Sequence, residues 1–468
     1  MIFGVATNED RRQRSDNPKI RKTLCVLDYK LTQTIKLSLC ISFNFCGAYI
    51  NQVRRTSDIM HSTFYIMHST FKRSLWLMSL SFNKNGKFTI LQVSDPQDLQ
   101  FVRRTMINML DKAYDTVMPD LVVFTGDNIL GNHLRDARFG SRKVILSPEG
   151  EYEAMKKAIA HVASQPEERK LPFTMIYGNH DDMNFITKED QAKIWRSYGC
   201  FIGLADTPES GDVDTFNLTI KSSDGTRNAF NLWFTDSAWL DKAEEKCHTG
   251  VKKQAVEWYV KKSEELKKEN GGAPLPSVMF QHISPPELES LNVECGKNDD
   301  GAIPFFRKGQ KARYIKLDPT RGRGVLGEPI IGCEENYGQF EALKKQGDVL
   351  ALVLGHDHLN CFEAKVDGIK IFQSSCASFR CYGSKMRGVR VIELDENNPE
   401  DIKTRFLTYE DLCGKSLKAK LRYIWDADGE GKKKAGLISC MAAAVAAFAI
   451  GTAKKGAGDR GITQASRL

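Results

Sequence analysis

Five short apolar runs punctuate the chain: Phe88 to Val93, Leu121 to Phe124, Phe173 to Tyr177, Val278 to Phe280 and Val349 to Leu354. Each is rich in β-branched or aromatic side chains and too short for a buried helix, so each predicts a buried strand. Between the first three lie stretches near Phe101 to Val117 and Tyr152 to Val162, with a third near Glu189 to Tyr198, which predict helices. The later chain is richer in strands, predicted at Thr215 to Ile220, Asn228 to Phe234, Phe362 to Lys365, Ile369 to Gln373, Val389 to Glu393 and Thr404 to Tyr409. An alternating first half and a strand-rich second half predict an α/β protein with two sheets packed face to face and helices outside.

The chemistry lies in the residues at the end of each of the five runs. The segments are Asp95-Pro96-Gln97, Gly126-Asp127-Asn128, Gly178-Asn179-His180-Asp181, Gln281-His282 and Gly355-His356-Asp357-His358. They contain four of the nine histidines, together with carboxylates and amides, all at predicted strand ends. In layered α/β folds that edge gathers functional side chains. An Asp after a strand is ordinarily a turn former, and Gly-Asn-His-Asp alone is an ordinary loop sequence. Their joint occurrence, in order, reads as a dinuclear metal site for cleaving phosphate esters. Such a site holds two cations roughly 3.5 to 4 Å apart, polarises phosphoryl oxygens and activates water.

This ordered set resembles the calcineurin-like metallophosphoesterase superfamily, over about Phe88 to Tyr409. The resemblance implies a four-layer α/β/β/α sandwich of two mixed sheets flanked by helices. It also implies that Asp127 bridges the two metals, that Asp95 and His358 hold the first, and that Asn179, His282 and His356 hold the second. Gln97 stands where most members have histidine, which implies a weak ligand at the first position. His180 is implied to stabilise or protonate the leaving oxygen, with Asp181 orienting its imidazole from behind. Mixed imidazole, amide and carboxylate donors suit Mn, Fe or Zn better than Ca. The function implied is a metal-dependent phosphomonoesterase using hydroxide bound at the metals; the alternatives are a phosphodiesterase and a non-catalytic binding protein that has lost one metal.

Charge divides the chain at the boundaries of this set. Residues 1–87 carry 14 Lys and Arg against 5 Asp and Glu, and residues 411–468 carry 11 against 5, while the whole chain is at +8. The catalytic stretch, 88–410, is therefore acidic, and the basic total is no argument for nucleic-acid binding. Residues 1–87 are expected to be a basic leader without a fold of its own, containing the short repeat around His61 and His68. The twelve cysteines show no CxxC spacing, which points to a reducing, cytoplasmic setting and to Cys376 and Cys381 as packing residues.

Two further segments bear on partners. Residues 435–453 are uncharged between lysines. As helix they would span about 28 Å at about 1.5 Å per residue, which raises membrane contact as an expectation beside a helix docked on the core. The final Ser466-Arg467-Leu468 is similar to a peroxisomal address. The long insertion at 284–348 is expected to form a substrate wall, and its Arg307, Lys308, Lys311, Arg313, Lys316, Arg321 and Arg323 are candidates to attract an anionic ester.

Overall fold

The computed structural model describes residues 79–134, 147–184, 186–204, 208–241, 246–306 and 311–428, together with 436 and 438–440. Most of the leader, Arg307, Lys308, most of 435–453 and the final tripeptide lie outside the described residues. Contacts divide the chain into Met1–Leu77 and Met78–Leu468, and every described element belongs to the second unit.

The first half alternates as its apolar runs predict. β1 (Leu80–Ser81) precedes β2 (Lys87–Val93), α1 (Arg104–Val117), β3 (Leu121–Thr125), α2 (Pro148–Glu168), β4 (Phe173–Ile176) and α3 (Lys188–Trp195). The strand-rich portion continues with β5 (Phe216–Lys221), β6 (Asn228–Thr235), and a hairpin of β7 (Ala238–Asp241) and β8 (Lys246–Thr249). α4 (Lys253–Glu269) and β9 (Ser277–Gln281) follow. The insertion holds β10 (Asn292–Cys295), β11 (Ile303–Phe305), β12 (Arg313–Leu317), β13 (Gly322–Val325) and α5 (Gln339–Gln346). β14 (Val349–Leu354), β15 (Cys361–Val366), β16 (Ile369–Gln373), β17 (Gly388–Asp395) and β18 (Lys403–Thr408) come next, then α6 (Tyr409–Cys413) and α7 (Leu417–Asp426).

Two sheets form the centre. One runs β18-β17-β2-β3-β4 and the other β1-β5-β6-β9-β14-β16-β15-β13. β2, β3 and β4 are mutually parallel in the first, and β6, β9, β14 and β16 are parallel in the second. Side-chain alternation in the second sheet decides the layering. Val278, Phe280, Ala351 and Val353 join the core shared with β2 and β3, whereas Met279, Leu352 and Leu354 join a separate core with Tyr259 and Leu266 of α4 and Phe340 and Leu343 of α5. On the far side of the first sheet, Met106, Met109 and Leu110 of α1 and Ile159 of α2 are buried, and Trp195 of α3 meets Phe124 and Phe173. The order helix, sheet, sheet, helix is the four-layer arrangement.

Buried polar groups stitch the sheets together. Gln92 on β2 donates to Leu354 O of β14 at 3.0 Å and accepts from Ser374 Oγ at 2.6 Å. Arg390 on β17 donates to Gln373 O at 2.7 Å and to Ser374 Oγ at 2.8 Å. A polar seam of this kind specifies how one sheet lies on the other, because sliding would leave its donors and acceptors unpaired at about 1–3 kcal/mol each.

The expected domain boundaries need moving at both ends. Leu80 and Phe82 are buried, and β1 pairs with β5, so the end of the presumed leader belongs to the fold. At the other end Tyr423 of α7 donates to Ser384 O at 2.7 Å, and Asp428 N to Phe379 O at 3.0 Å. Residues through Asp428 are therefore part of the domain, beyond the expected limit at 410. Four of the insertion's described candidate cations have partners close by, and Lys311 is exposed. Arg313 lies over the Phe305 ring, Lys316 pairs with Asp299, Arg321 with Asp318 and Arg323 with Glu363.

Candidate metal centre

All five motif segments leave the carboxyl ends of parallel strands: β2, β3 and β4 in one sheet, β9 and β14 in the other. The two sheets bring those ends together, and loop-to-loop hydrogen bonds hold them in place. Gly355 N donates to His282 O at 3.1 Å, Ser378 N to Asp95 O at 3.0 Å and Gln97 N to Asp127 O at 2.9 Å. Asp95, Gln97, Asp127 and His356 all have positive φ, at 47°, 27°, 47° and 72°. For residues with a Cβ this costs on the order of 1–3 kcal/mol each and collects at functional sites. The buried strands that precede them offset it, at about 1.5–3 kcal/mol per large apolar side chain.

The donors converge tightly. Asp95, Asp127 and His358 each place a ligand atom within 4.8 Å of the others. His358 Nε2 is 3.5 Å from Asp95 Oδ1, and His282 Nε2 is 3.5 Å from Asp127 Oδ1 and 3.9 Å from Asp95 Oδ1. Asn179 Oδ1 is 3.2 Å from His282 Nε2. The His356 ring lies 5.1 Å from that of His282, centre to centre, and its backbone N–H donates to Asp95 Oδ2 at 3.0 Å. Gln97 donates through Nε2 to Asp127 Oδ2 at 3.0 Å, while its Oε1 and the Oδ1 of Asp95 are buried without a hydrogen-bond partner.

Both imidazoles nearest the carboxylates are aimed from behind. His282 Nδ1 meets Thr125 O and His358 Nδ1 meets Tyr382 O, each at 2.8 Å, which leaves both Nε2 atoms facing inward. The Tyr382 ring stacks on His358 at 4.3 Å. Glycine is required at position 178: a Cβ there would lie 2.3 Å from Asp127 N and Oδ1 and 2.7 Å from His282 Nε2.

Electrostatics follows from burial. Burial works against a charged His282, but the carboxylates of Asp127 and Asp95 outweigh it and raise its pKa to about 9. Asp127 and Asp95 are held below the ordinary carboxylate range, the imidazole of His282 overcoming the opposing effect of burial. Burial, aided by His282, depresses His356 to about 4, so it presents a neutral, metal-competent ring. Two adjacent buried carboxylates draw positive charge to this point, whether as a proton on imidazole or as a cation.

One expected role is not what the geometry supports. The Asp181 carboxylate does not sit behind the His180 ring. It accepts from the backbone N–H groups of Gly178, Asn128 and Ile129 at 2.8, 3.1 and 3.0 Å and from Asn128 Nδ2 at 3.0 Å. Those bonds tie the loop after β4 to the loop after β3. His180 instead meets Asn132 Oδ1 through Nδ1 at 3.2 Å, while its Nε2 lies 4.0 Å from Asp127 Oδ2. Asn132, Tyr382 and the Thr125 carbonyl were not legible as site groups. Asn132 sits five residues past Asp127 in an unremarkable loop, Tyr382 is far along the chain, and a backbone carbonyl leaves no mark in a side-chain pattern.

Known proteins resemble this chain over parts of its length. The chain is 25% identical to the Arabidopsis thaliana protein named probable inactive purple acid phosphatase 29 over 351 residues, 68% of this chain and 79% of the relative. It is 33% identical to phosphatase DCR2 of Saccharomyces cerevisiae over 102 residues, 22% of this chain and 13% of that protein. Among solved structures, a dimetal phosphatase from Danio rerio aligns at 12% identity and TM-score 0.39, covering 69% of this chain and 99% of the other. The family model for calcineurin-like phosphoesterase matches residues 88–360, a span that opens on β2 and takes in every motif-bearing strand end. The chain therefore belongs to the calcineurin-like phosphoesterase family.

Proposed function

We propose that this protein is a metal-dependent phosphomonoesterase. The observation that carries the reading is the convergence of Asp95, Asp127 and His358, with His282 and Asn179 beside them, at the ends of parallel strands from two sheets. The family implies a dinuclear divalent metal centre, and the donors fit one: two buried carboxylates held ionised, two imidazoles with Nε2 inward, and orphaned buried oxygens on Asp95 and Gln97. Asp95, Gln97, Asp127 and His358 would hold one cation; Asp127, Asn179, His282 and His356 would hold the other. When bound, the cations supply charge neutralisation at the phosphoryl group and activation of the attacking water. Manganese, iron or zinc suits this donor set.

The protein's own share of the chemistry is orientation and proton transfer. Thr125 O and Tyr382 O fix the two ligand rings, and Gly178 leaves room for the Asp127 carboxylate and the His282 ring. His180 stands with Nε2 directed towards Asp127 and is the group to protonate the ester oxygen as its bond to phosphorus breaks. The substrate partner is a phosphate monoester. We propose a cytoplasmic setting. Among the described residues no helix is long and apolar enough to cross a membrane; membrane contact through 435–453 stays a proposal tied to that segment.

Measuring turnover of a phosphomonoester and a diester, with bound metal counted per chain, tests the reading. Two equivalents and faster monoester hydrolysis are expected; faster diester cleavage would reverse the substrate assignment. A second reading, a non-catalytic binding protein, is favoured by the relative named inactive and by the amide at Gln97. Zero metal and no turnover would select it.

A further inference from the structure

From the contact at the His180 ring we infer that Asn132 is a positioning residue for His180: its amide oxygen fixes the Nδ1 proton and thereby leaves Nε2 to face the leaving oxygen. The inference rests on the phosphatase reading and adds to it a group that the motif pattern does not contain.

The loop after β3 is built to bring Asn132 to this place. Leu130 N donates to Asp98 O at 2.9 Å, and His133 N to Leu130 O at 3.0 Å, so Gly131–His133 form one 3₁₀ turn anchored on the loop after β2. Gly131 is buried at the crossing point with the next loop. A Cβ on it would stand 2.2 Å from His180 O and 2.9 Å from Asn184 Nδ2, the group that caps Asp181 O. That close backbone approach sets Asn132 Oδ1 at 3.2 Å from His180 Nδ1. The opposite edge of the ring faces Asp127, with Nε2 4.0 Å from Oδ2, while the His180 backbone N–H donates to Asp127 Oδ1 at 2.8 Å. Main chain and ring are thus pinned from separate sides.

An amide oxygen is an acceptor and carries no charge, so it selects the Nδ1–H form of the ring. The acid form of the ring is therefore the imidazolium, whose Nδ1–H stays on Asn132 and whose Nε2–H is the proton handed to the departing ester oxygen. The P–O bond electrons go to that oxygen, the Nε2–H bond breaks to protonate it, and the ring remains as the Nδ1–H tautomer bonded to Asn132. Asp181 cannot serve here, because its oxygens are occupied by the backbone N–H groups of Gly178, Asn128 and Ile129.

Leaving-group dependence in the full-length, metal-loaded protein tests the assignment. Asn132→Ala should lower kcat for an alkyl phosphate such as glycerol 2-phosphate by on the order of 10–100-fold. The loss for 4-nitrophenyl phosphate, whose leaving oxygen needs no proton, should be much smaller, with KM and metal content unchanged. Asn132→Asp, which keeps an acceptor, should restore the alkyl phosphate rate, and Gly131→Ala should mimic Asn132→Ala. Equal losses on both substrates, or no rescue by aspartate, would overturn the inference. Ring ¹⁵N shifts of His180 supply a readout independent of turnover. A Nδ1–H tautomer in the wild type that is lost in Asn132→Ala sustains the inference even if no ester is hydrolysed, in which case the phosphatase reading alone fails; unchanged tautomer populations would refute it.

Discussion

At the scale of single residues, His180 and Gln97 differ in what their replacement should do. His180 is directed towards Asp127 at 4.0 Å but has its other nitrogen engaged by Asn132. His180→Ala is therefore expected to reduce turnover by about 10² to 10⁴ while metal content, read by elemental analysis, stays near the wild-type value. Loss of metal along with activity would make His180 a ligand. Gln97 has an orphaned buried Oε1 and spends its amide nitrogen on Asp127. A neutral amide oxygen is a poorer donor than imidazole for borderline transition metals. Gln97→His should lower the metal concentration needed for half-maximal rate, and overlapping titrations of the two proteins would show that the amide already binds as well. Position 181 shows the limit of motif reasoning. His180 and Asp181 are adjacent in sequence, yet the turn after β4 sends their side chains to different partners, one to Asn132 and the other to three backbone N–H groups.

At the scale of elements, strands were readable and their company was not. β14 occupies Val349–Leu354, the bounds of its apolar run, and β16 occupies Ile369–Gln373 as expected. Both are buried from two sides, so composition alone marks them. The small sheet β10-β12-β11 and the β7-β8 hairpin left no comparable signal, since their residues are mostly half-buried or exposed. Two substitutions test how elements carry the site. Gly178→Ala puts a methyl group against Asp127 and His282, so the loop after β4 must retreat. Overpacking of this kind costs about 1–3 kcal/mol, and the affected ligands should show it as reduced metal stoichiometry with circular dichroism unchanged. Arg390→Leu removes the donors that join β17 to Gln373 O and Ser374 Oγ. A loss of about 2–4 kcal/mol in denaturant unfolding is expected; a loss under about 0.5 kcal/mol, the size of an ordinary surface substitution, would mean that the polar seam does not hold the sheets.

At the scale of the whole molecule, the packing of the ends sets what can be removed. A chain starting at Met78 keeps Leu80 and Phe82, which are buried, and the β1-β5 pairing, whereas one starting at Phe88 loses all three. The shorter chain should unfold at a lower denaturant concentration; coincident unfolding curves would return residues 79–87 to the leader. Removal of 432–468 spares α7 and the Asp428 contact, so turnover and metal content should match the full chain, and an aggregated product would show that 435–453 packs on the domain.

The sequence by itself determined the family, the run of strands and the residues that meet at their ends. Strand ends are local events, written as an apolar run followed by glycine, carboxylate, amide or imidazole, and five of them in order leave little freedom. Only the tertiary structure decided which groups stand behind those residues. Thr125 O and Tyr382 O aim two imidazoles, Asn132 replaces Asp181 at the His180 ring, and Arg390 and Gln92 bind one sheet to the other. These are hydrogen bonds between loops and sheets far apart along the chain. Their strength depends on distances of a few tenths of an ångström that no residue type or spacing encodes.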